Sequence, residues 1–352
     1  MMADTLLERR GGVLEVTLHR PQALNAISFE MVTEVLAALR QLEADDDLKA
    51  MVLLGSGEKA FSAGGDVRAI YEAGQDDPAK APSPETLAFF QREYEMNLAL
   101  HQSPKPVISL VDGIVMGGGV GISFHGARAI VTEKALFAMP EVAIGFIPDV
   151  GGTFALEKCP GKLGLLLGTT GLRLKGKEIL DAGMVHGHIA SDQLDDLRAK
   201  LANASSSEEA LAMVDAAVDG EASPFPDLDV INDVCAGDAH KMAENMAKSD
   251  HPLIQKAFAG LNRGSPLAYH VTHAQLTSGR GASLSDALIL EHRLVVRMLR
   301  EKDFYEGVHA VLVDRNHKPE WTHDSIAQVP AGLGEEYLGP TDIADWEPGR
   351  SY

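Results

Sequence analysis

The chain is short of cysteine, of basic charge and of long apolar runs, and each shortage excludes something. Among its 352 residues there are two cysteines, Cys159 and Cys235, and they do not form a C-x-x-C pair. That leaves no zinc or dithiol motif, and such scarcity suits a reducing, cytoplasmic setting. Lys and Arg total 31 against 51 Asp and Glu, a formal net charge of -20. So acidic a chain argues against a general nucleic-acid binder, which needs a basic face for phosphate. It still permits a phosphate-bearing small ligand, which local lysines, arginines or backbone N–H groups suffice to hold. No apolar run approaches the roughly 18 residues of a membrane span. The longest, Ile144–Val150, is interrupted by Gly145 and Pro148. Met1–Arg10 is polar and lacks the apolar stretch of a secretory signal. There is no P-loop.

What is present is a chain with 45% apolar and 23% charged residues, enough for one large core or two domains. Val13–His19 alternates apolar and polar residues as a half-buried strand does, and Arg20-Pro21 ends it. Ser28 is placed to cap a helix running to about Glu43, with Met31, Val32, Val35, Leu36, Leu39 and Leu42 on one stripe. Lys49–Leu54 reads as a second strand, so this β–α–β order predicts a parallel, right-handed unit. Phe61–Gly65 is a small-residue turn before a helix start at Asp66–Tyr71. Glu72–Ser83 reads as a loop, Pro84–Gln102 as a helix and Val107–Val111 as a strand. A helix is expected after Gly117-Gly118-Gly119, a strand at Ala129–Thr132, a helical stretch over Gly151–Leu167 and a short strand over Met184–Ile189. Composition shifts near Leu201. The division expected is therefore a core over 1–201, a mainly helical region over 202–318, and a Pro- and Asp-rich, partly ordered tail over 319–352.

Two features carry chemistry. Ser62–Asp66 and Gly117–Gly119 each follow a strand and precede a helix. Glycine there lets a ligand approach the backbone, and exposed N–H groups bind an anion or a polarised carbonyl oxygen. Two such clusters facing each other make an oxyanion hole, while tight helix–strand packing is the competing explanation. The other feature is a pair of acids in an apolar stretch, Glu141 after Pro140 and Asp149 after Pro148. Buried carboxylates are costly unless paired or used; helix capping is the competing explanation. Other motifs are weaker. Gly121–Gly126 reads GxSxxG rather than the GxSxG of a nucleophile elbow, so Ser123 reads as a packing residue. Gly55–Ala60 lacks the helix a dinucleotide fingerprint needs. His186 and His188 read as structural or surface residues.

Four segments in order then resemble the crotonase superfamily of acyl-CoA enzymes: RPQALNAIS (Arg20–Ser28), FSAGGDV (Phe61–Val67), DGIVMGGGVGIS (Asp112–Ser123) and MPEVAIGFIPDVGGT (Met139–Thr153), with TTGLRLKGKEILDAGMV following. The resemblance implies an α/β fold, a ββα superhelix with a helical C-terminal region. It implies an acyl-CoA substrate whose thioester oxygen accepts from the N–H groups of Gly65 and Gly118. Ala23–Ala26 and Ala63 would line the adenine and pantetheine path, with Ala26, Ala63, Asp66 and Glu93 as substrate-binding residues. Hydratases of this fold use two glutamates. Glu141 matches one, but the other position, twenty residues earlier, is Gly121. An acid appears instead at Asp149. That pairing, with Glu93 and the segment Asp303–Trp321, resembles the branch that hydrolyses 3-hydroxyisobutyryl-CoA in valine breakdown. Glu141 and Asp149 would then be catalytic. No metal or separate cofactor is implied, because coenzyme A belongs to the substrate. Neither nucleic acid nor membrane is expected as a partner, and homo-oligomers are common among such proteins. A hydratase or isomerase that places its acid differently, and an acyl-CoA-binding protein without catalysis, are the alternatives.

Overall fold

A computed structural model describes residues 4–349; the ends of the expected polar N-terminus and of the expected tail lie outside the described residues. Ten strands run through them: β1 (Thr5–Arg10), β2 (Val13–Leu18), β3 (Ala50–Gly55), β4 (Ala60–Ser62), β5 (Val107–Val111), β6 (Ile114–Met116), β7 (Arg128–Val131), β8 (Leu136–Ala138), β9 (Leu174–Lys175) and β10 (Gly187–His188). They form a six-stranded sheet, β1-β2-β3-β5-β7-β10, and a four-stranded sheet, β4-β6-β8-β9. In the larger sheet β1 is antiparallel to β2 and the remaining pairs are parallel. Consecutive strands alternate between the sheets: β3 then β4, β5 then β6, β7 then β8. A helix follows β4 at Val67–Gly74 and another follows β6 at Gly118–Phe124. This is the expected ββα winding, and the β–α–β expectation for β2 and β3 holds, with Ser28 capping the helix Phe29–Ala44 through Met31 N–H.

The period-2 geometry of the strands explains the larger sheet's core. Val13 pairs with Ala50, Val52 with Ile108, and Leu110 with Ile130. These residues pack with Leu197, Leu201, Ala210 and Val214 of the helices Leu194–Leu201 and Ser207–Ala217. Each large aliphatic side chain buried there contributes about 1.5–3 kcal/mol. The wet face expected for Val13–His19 is not found, since Glu15 is only 3% exposed. Its two oxygens accept from Arg198 Nε and Nη2 at 3.0 and 2.7 Å, so the charge is buried with a bidentate partner. β1 was not expected from the polar Met1–Arg10 segment; Leu6 and Leu7 are exposed there among charged residues on an edge strand.

Other differences have local causes. The stretch expected to be helical over Gly151–Leu167 is two helices, Gly152–Glu157 and Leu163–Thr170, broken by Pro160 and by Gly161 at φ 58°. The strand expected at Met184–Ile189 shrinks to β10. The chain forms two compact units that interleave along the sequence rather than dividing at Leu201. One comprises 1–65, 92–137 and 174–224, the other 66–91, 138–173 and 225–352. The expected tail is packed. Val329 and Trp346 are 2% exposed. Arg293 donates to Asp345, Arg297 to the Pro340 carbonyl and Arg300 to Asp342. These arginines lie on or just past the helix Leu284–Met298, so the tail's order depends on partners some forty residues away in sequence.

Candidate active site

In the sheet-bearing unit the glycine clusters converge. Leu24 and Asn25 both sit at positive φ, 53° and 54°, where non-glycine residues are uncommon. Asn25, fully buried, holds this turn: its Oδ1 accepts from Arg20 N–H, and its Nδ2 donates to the carbonyls of Ser56 and Ala60, each at 2.9 Å. The turn places Ala26 beside the small-residue segment, for Ala63 N–H donates to Leu24 O and Ile27 N–H to Gly64 O. A cavity of about 260 Å³ opens here, lined by Pro21, Leu24, Asn25, Ser56, Lys59 and Ala60 among others.

Gly118 lies against the end of that segment. A Cβ on Gly118 would stand 3.0 Å from Gly65 N and 2.8 Å from Oε1 of Glu93, a side chain 2% exposed. A Cβ on Gly119 would stand 2.4 Å from Ser62 O. Packing therefore explains Gly119, whereas a Cβ on Gly65 meets no atom within 4 Å. Among the described residues neither the Gly65 nor the Gly118 N–H donates to a protein acceptor. The arrangement is a pair of unused backbone donors beside a buried carboxylate. Ser123 is a packing residue, as expected, with its hydroxyl donating to Gly119 O. Asp66 occupies the cap position of Val67–Gly74 without making a side-chain capping bond.

In the other unit the two Pro-flanked acids are both buried, Glu141 at 7% and Asp149 at 6% exposure. Neither caps a helix. Glu141 opens the single turn Glu141–Ile144 behind Pro140, with no side-chain cap, and Gly151 caps the helix after Asp149. The Glu141 turn is anchored by Val142 O, which accepts from Ser265 N–H at 3.0 Å, and by Gly145. Gly145 has φ 68°, and a Cβ there would lie 2.2 Å from Asp303 O, so only glycine fits. Glu141 Oε2 is buried with no hydrogen-bond partner among the described residues. Burial, then the charge of Asp149, then that of Glu291, hold the Glu141 carboxyl well above the usual carboxylate range.

Glu291 and Gln275 escaped the sequence reading. Gln275 Nε2 donates to Pro148 O at 2.6 Å and to Thr153 Oγ1 at 2.9 Å. Glu291 accepts from Gly151 N–H at 2.7 Å and Thr153 N–H at 2.8 Å. One signal was present: Glu291 interrupts the apolar stripe of Leu284, Ala287, Leu288, Leu294, Val295 and Met298. Burial pushes the Glu291 carboxyl up to about 8, against the pull of the Thr153 and Gly151 donors. The consequence for stability has a definite sign. Between the ordinary value of 4.5 and about 8, folded Glu291 keeps a proton that an unfolded chain releases. Folding is thus expected to weaken as pH rises through that window, by about 5 kcal/mol at most. Denaturant titrations of the parent and of Glu291→Gln at pH 5 and pH 8 check this; the variant should lose less stability over the interval.

The enzyme-family description "Enoyl-CoA hydratase/isomerase" matches residues 13–338. The chain is 39% identical to the 3-hydroxyisobutyryl-CoA hydrolase, mitochondrial, of Gallus gallus over 93% of this chain and 86% of that protein. Against the protein of the same description from Homo sapiens it is 37% identical, with 93% and 86% covered. Among solved structures, a carnitinyl-CoA dehydratase from Mycobacterium thermoresistibile is similar at TM-score 0.89 and 34% identity, covering 99% of this chain and 100% of that one. An enoyl-CoA hydratase from Rhodobacter sphaeroides 2.4.1 is similar at TM-score 0.87 and 34% identity, covering 98% and 99%. The ββα winding, the paired glycine clusters and these full-length likenesses agree, and the chain belongs to the enoyl-CoA hydratase/isomerase family, with the crotonase fold.

Proposed function

We propose that this chain is a thioester hydrolase acting on 3-hydroxyisobutyryl-CoA: water adds to the thioester carbonyl carbon, the C–S bond breaks, and 3-hydroxyisobutyrate and CoA leave. The observation that carries this is the set of acids. Glu141 is paired with Asp149 on one short segment, while the position that supplies a second glutamate in hydratases of this fold is Gly121, a buried helix residue. Hydration delivers a proton to one carbon and hydroxide to its neighbour, which two acid/base groups share. Hydrolysis needs one group to activate water and donors for the oxyanion. The relatives at 35–39% identity carry the hydrolase description, and they support the same choice.

Each residue then has a role. The thioester oxygen accepts from Gly65 and Gly118 N–H, which donate to no protein group among the described residues. The high proton affinity of Glu141 suits a base that takes the proton of water and returns it to the departing thiolate. Direct attack by Glu141 to give an anhydride, which water then opens, meets the same balance. Asp149 orients Glu141 or the substrate hydroxyl, and Glu93 closes on the acyl group. The cavity at Leu24 and Asn25, with Lys59 on its wall, takes the adenine end of CoA. The hydratase reading keeps one point in its favour, the descriptions of the solved structures. Free-thiol release from 3-hydroxyisobutyryl-CoA, followed beside crotonyl-CoA hydration in one preparation, decides between them. Thiol release without hydration is expected. Hydration without thiol release would overturn the proposal, and tight binding with neither reaction would identify a binding protein.

A further inference from the structure

Glu291 is an acidic side chain with 0% exposure in the apolar face of the helix Leu284–Met298. No Lys or Arg pairs with it among the described residues. Burying such a group for packing alone is unfavourable, and an apolar residue of similar volume would serve as well or better. Its bonds go elsewhere. Both oxygens are occupied by one turn: Oε2 by Gly151 N–H and Oε1 by Thr153 N–H. That turn carries Asp149, and it is not a relaxed one. Val150 sits at φ 54°, in a region that β-branched residues rarely adopt, and Gly151 follows at φ 80°. A conformation of this kind persists only when its surroundings impose it. Here the imposing groups are Glu291 on one side and Gln275 on the other, the latter holding Pro148 O and Thr153 Oγ1.

We infer that Glu291 is a positioning residue for the reaction, its carboxyl group clamping the Gly151 and Thr153 N–H groups and so fixing where the Asp149 carboxylate stands beside Glu141. The inference rests on the proposed hydrolase reading, because it acts through Asp149. Glutamine at 291 keeps the shape but turns an amide NH2 toward one of the two N–H donors, so one clamp opens. The expected result for Glu291→Gln is a fall in kcat of about 10- to 100-fold, the loss that a displacement of about 1 Å in a reacting group produces. KM for the acyl-CoA changes by less than about threefold, since the clamp does not touch the ligand. Thermal stability at pH 8 is unchanged or raised, because a buried charge has been removed. A role confined to holding the fold would give the opposite pattern, lower stability with the kcat of the folded fraction intact.

A double-mutant cycle tests the route. If Glu291 acts through Asp149, the pair Asp149→Asn and Glu291→Gln is no slower than Asp149→Asn alone. Multiplied losses would overturn the inference, as would parental kcat in Glu291→Gln. The two readings fail differently. Parental turnover in Asp149→Asn removes the role of Asp149 and the inference with it. Loss of turnover in Asp149→Asn, with none in Glu291→Gln, removes the inference alone. Should Glu291→Gln not fold, Glu291→Leu fills the same apolar stripe and carries the comparison. If both fail to fold, the residue serves the fold and not the reaction.

Discussion

Glu141→Gln is expected to lower thioester hydrolysis by about 10³-fold or more with the fold intact, within the range that a positioned general base contributes. Glutamine is isosteric, and Glu141 Oε2 has no hydrogen-bond partner among the described residues to lose, so the exchange disturbs no bond at that oxygen. What disappears is the ability to take a proton from water or to attack the carbonyl carbon. The sign of the accompanying stability change separates chemistry from folding. Burial beside Asp149 and Glu291 makes the charged form of Glu141 unfavourable. A neutral amide should therefore leave the protein as stable as the parent, or more so, at pH 7 to 8. The pH profile of the parent follows from the same burial. A base works only when deprotonated, so kcat/KM should fall as pH drops through the raised value, well above the 4.5 of an ordinary glutamate. Stopped thiol release with unchanged circular dichroism is the measurement; near-parental turnover would remove Glu141 from the mechanism.

Gly118→Ala is the second large effect, expected at about 10²- to 10³-fold in kcat, the loss typical of one oxyanion donor. A backbone N–H cannot be deleted by exchanging a side chain, but it can be displaced. The new Cβ would lie 3.0 Å from Gly65 N and 2.8 Å from Glu93 Oε1. The carboxylate end can give way, whereas the Gly65 backbone, tied to the Ile27 strand bridge, resists. The two donors are pushed apart and no longer meet one oxygen at about 2.7–3.1 Å. Gly65→Ala makes a useful contrast. Its Cβ meets no protein atom within 4 Å, so a loss of turnover there would come from the ligand and not from distortion of the protein. Comparing kcat, KM and thermal melting across the two variants checks the assignment; parental kcat in Gly118→Ala would end it.

The residues proposed for the site could be picked out because they are local in sequence. Asn25, Gly65, Gly118 and Glu141 all lie in short segments whose chemistry can be read from neighbours. The helix Pro84–Gln102 and strand Val107–Val111 were legible for the same reason: proline bounds them and a clear apolar pattern fills them. The failures follow the reverse rule. β1 was missed because an edge strand tolerates charge, and its partner, not its composition, makes it a strand. Glu15 looked solvent-exposed until Arg198, supplied by a helix far along the chain, neutralised it. The tail looked loosely ordered because the arginines that grip Asp342 and Asp345 lie on or just past a helix forty to fifty residues earlier.

The sequence by itself determined the first β–α–β unit, the positions of the glycine clusters and the Pro-flanked acids, because periodicity, backbone freedom and local charge are short-range properties of a chain. The ββα winding was implied by the resemblance of four motifs to a family, since its second-sheet strands, β4, β6 and β8, are only three residues long and carry no period of their own. Only the tertiary structure decided what those acids experience. Glu141 is a proton-retaining group because it is buried, and because the charges of Asp149 and Glu291 lie near it. Asp149 is fixed because two helices from the C-terminal half hold its turn by hydrogen bonds that no local pattern announces. Burial and long-range electrostatics depend on which distant segments exclude water, and that is settled only when the chain has folded.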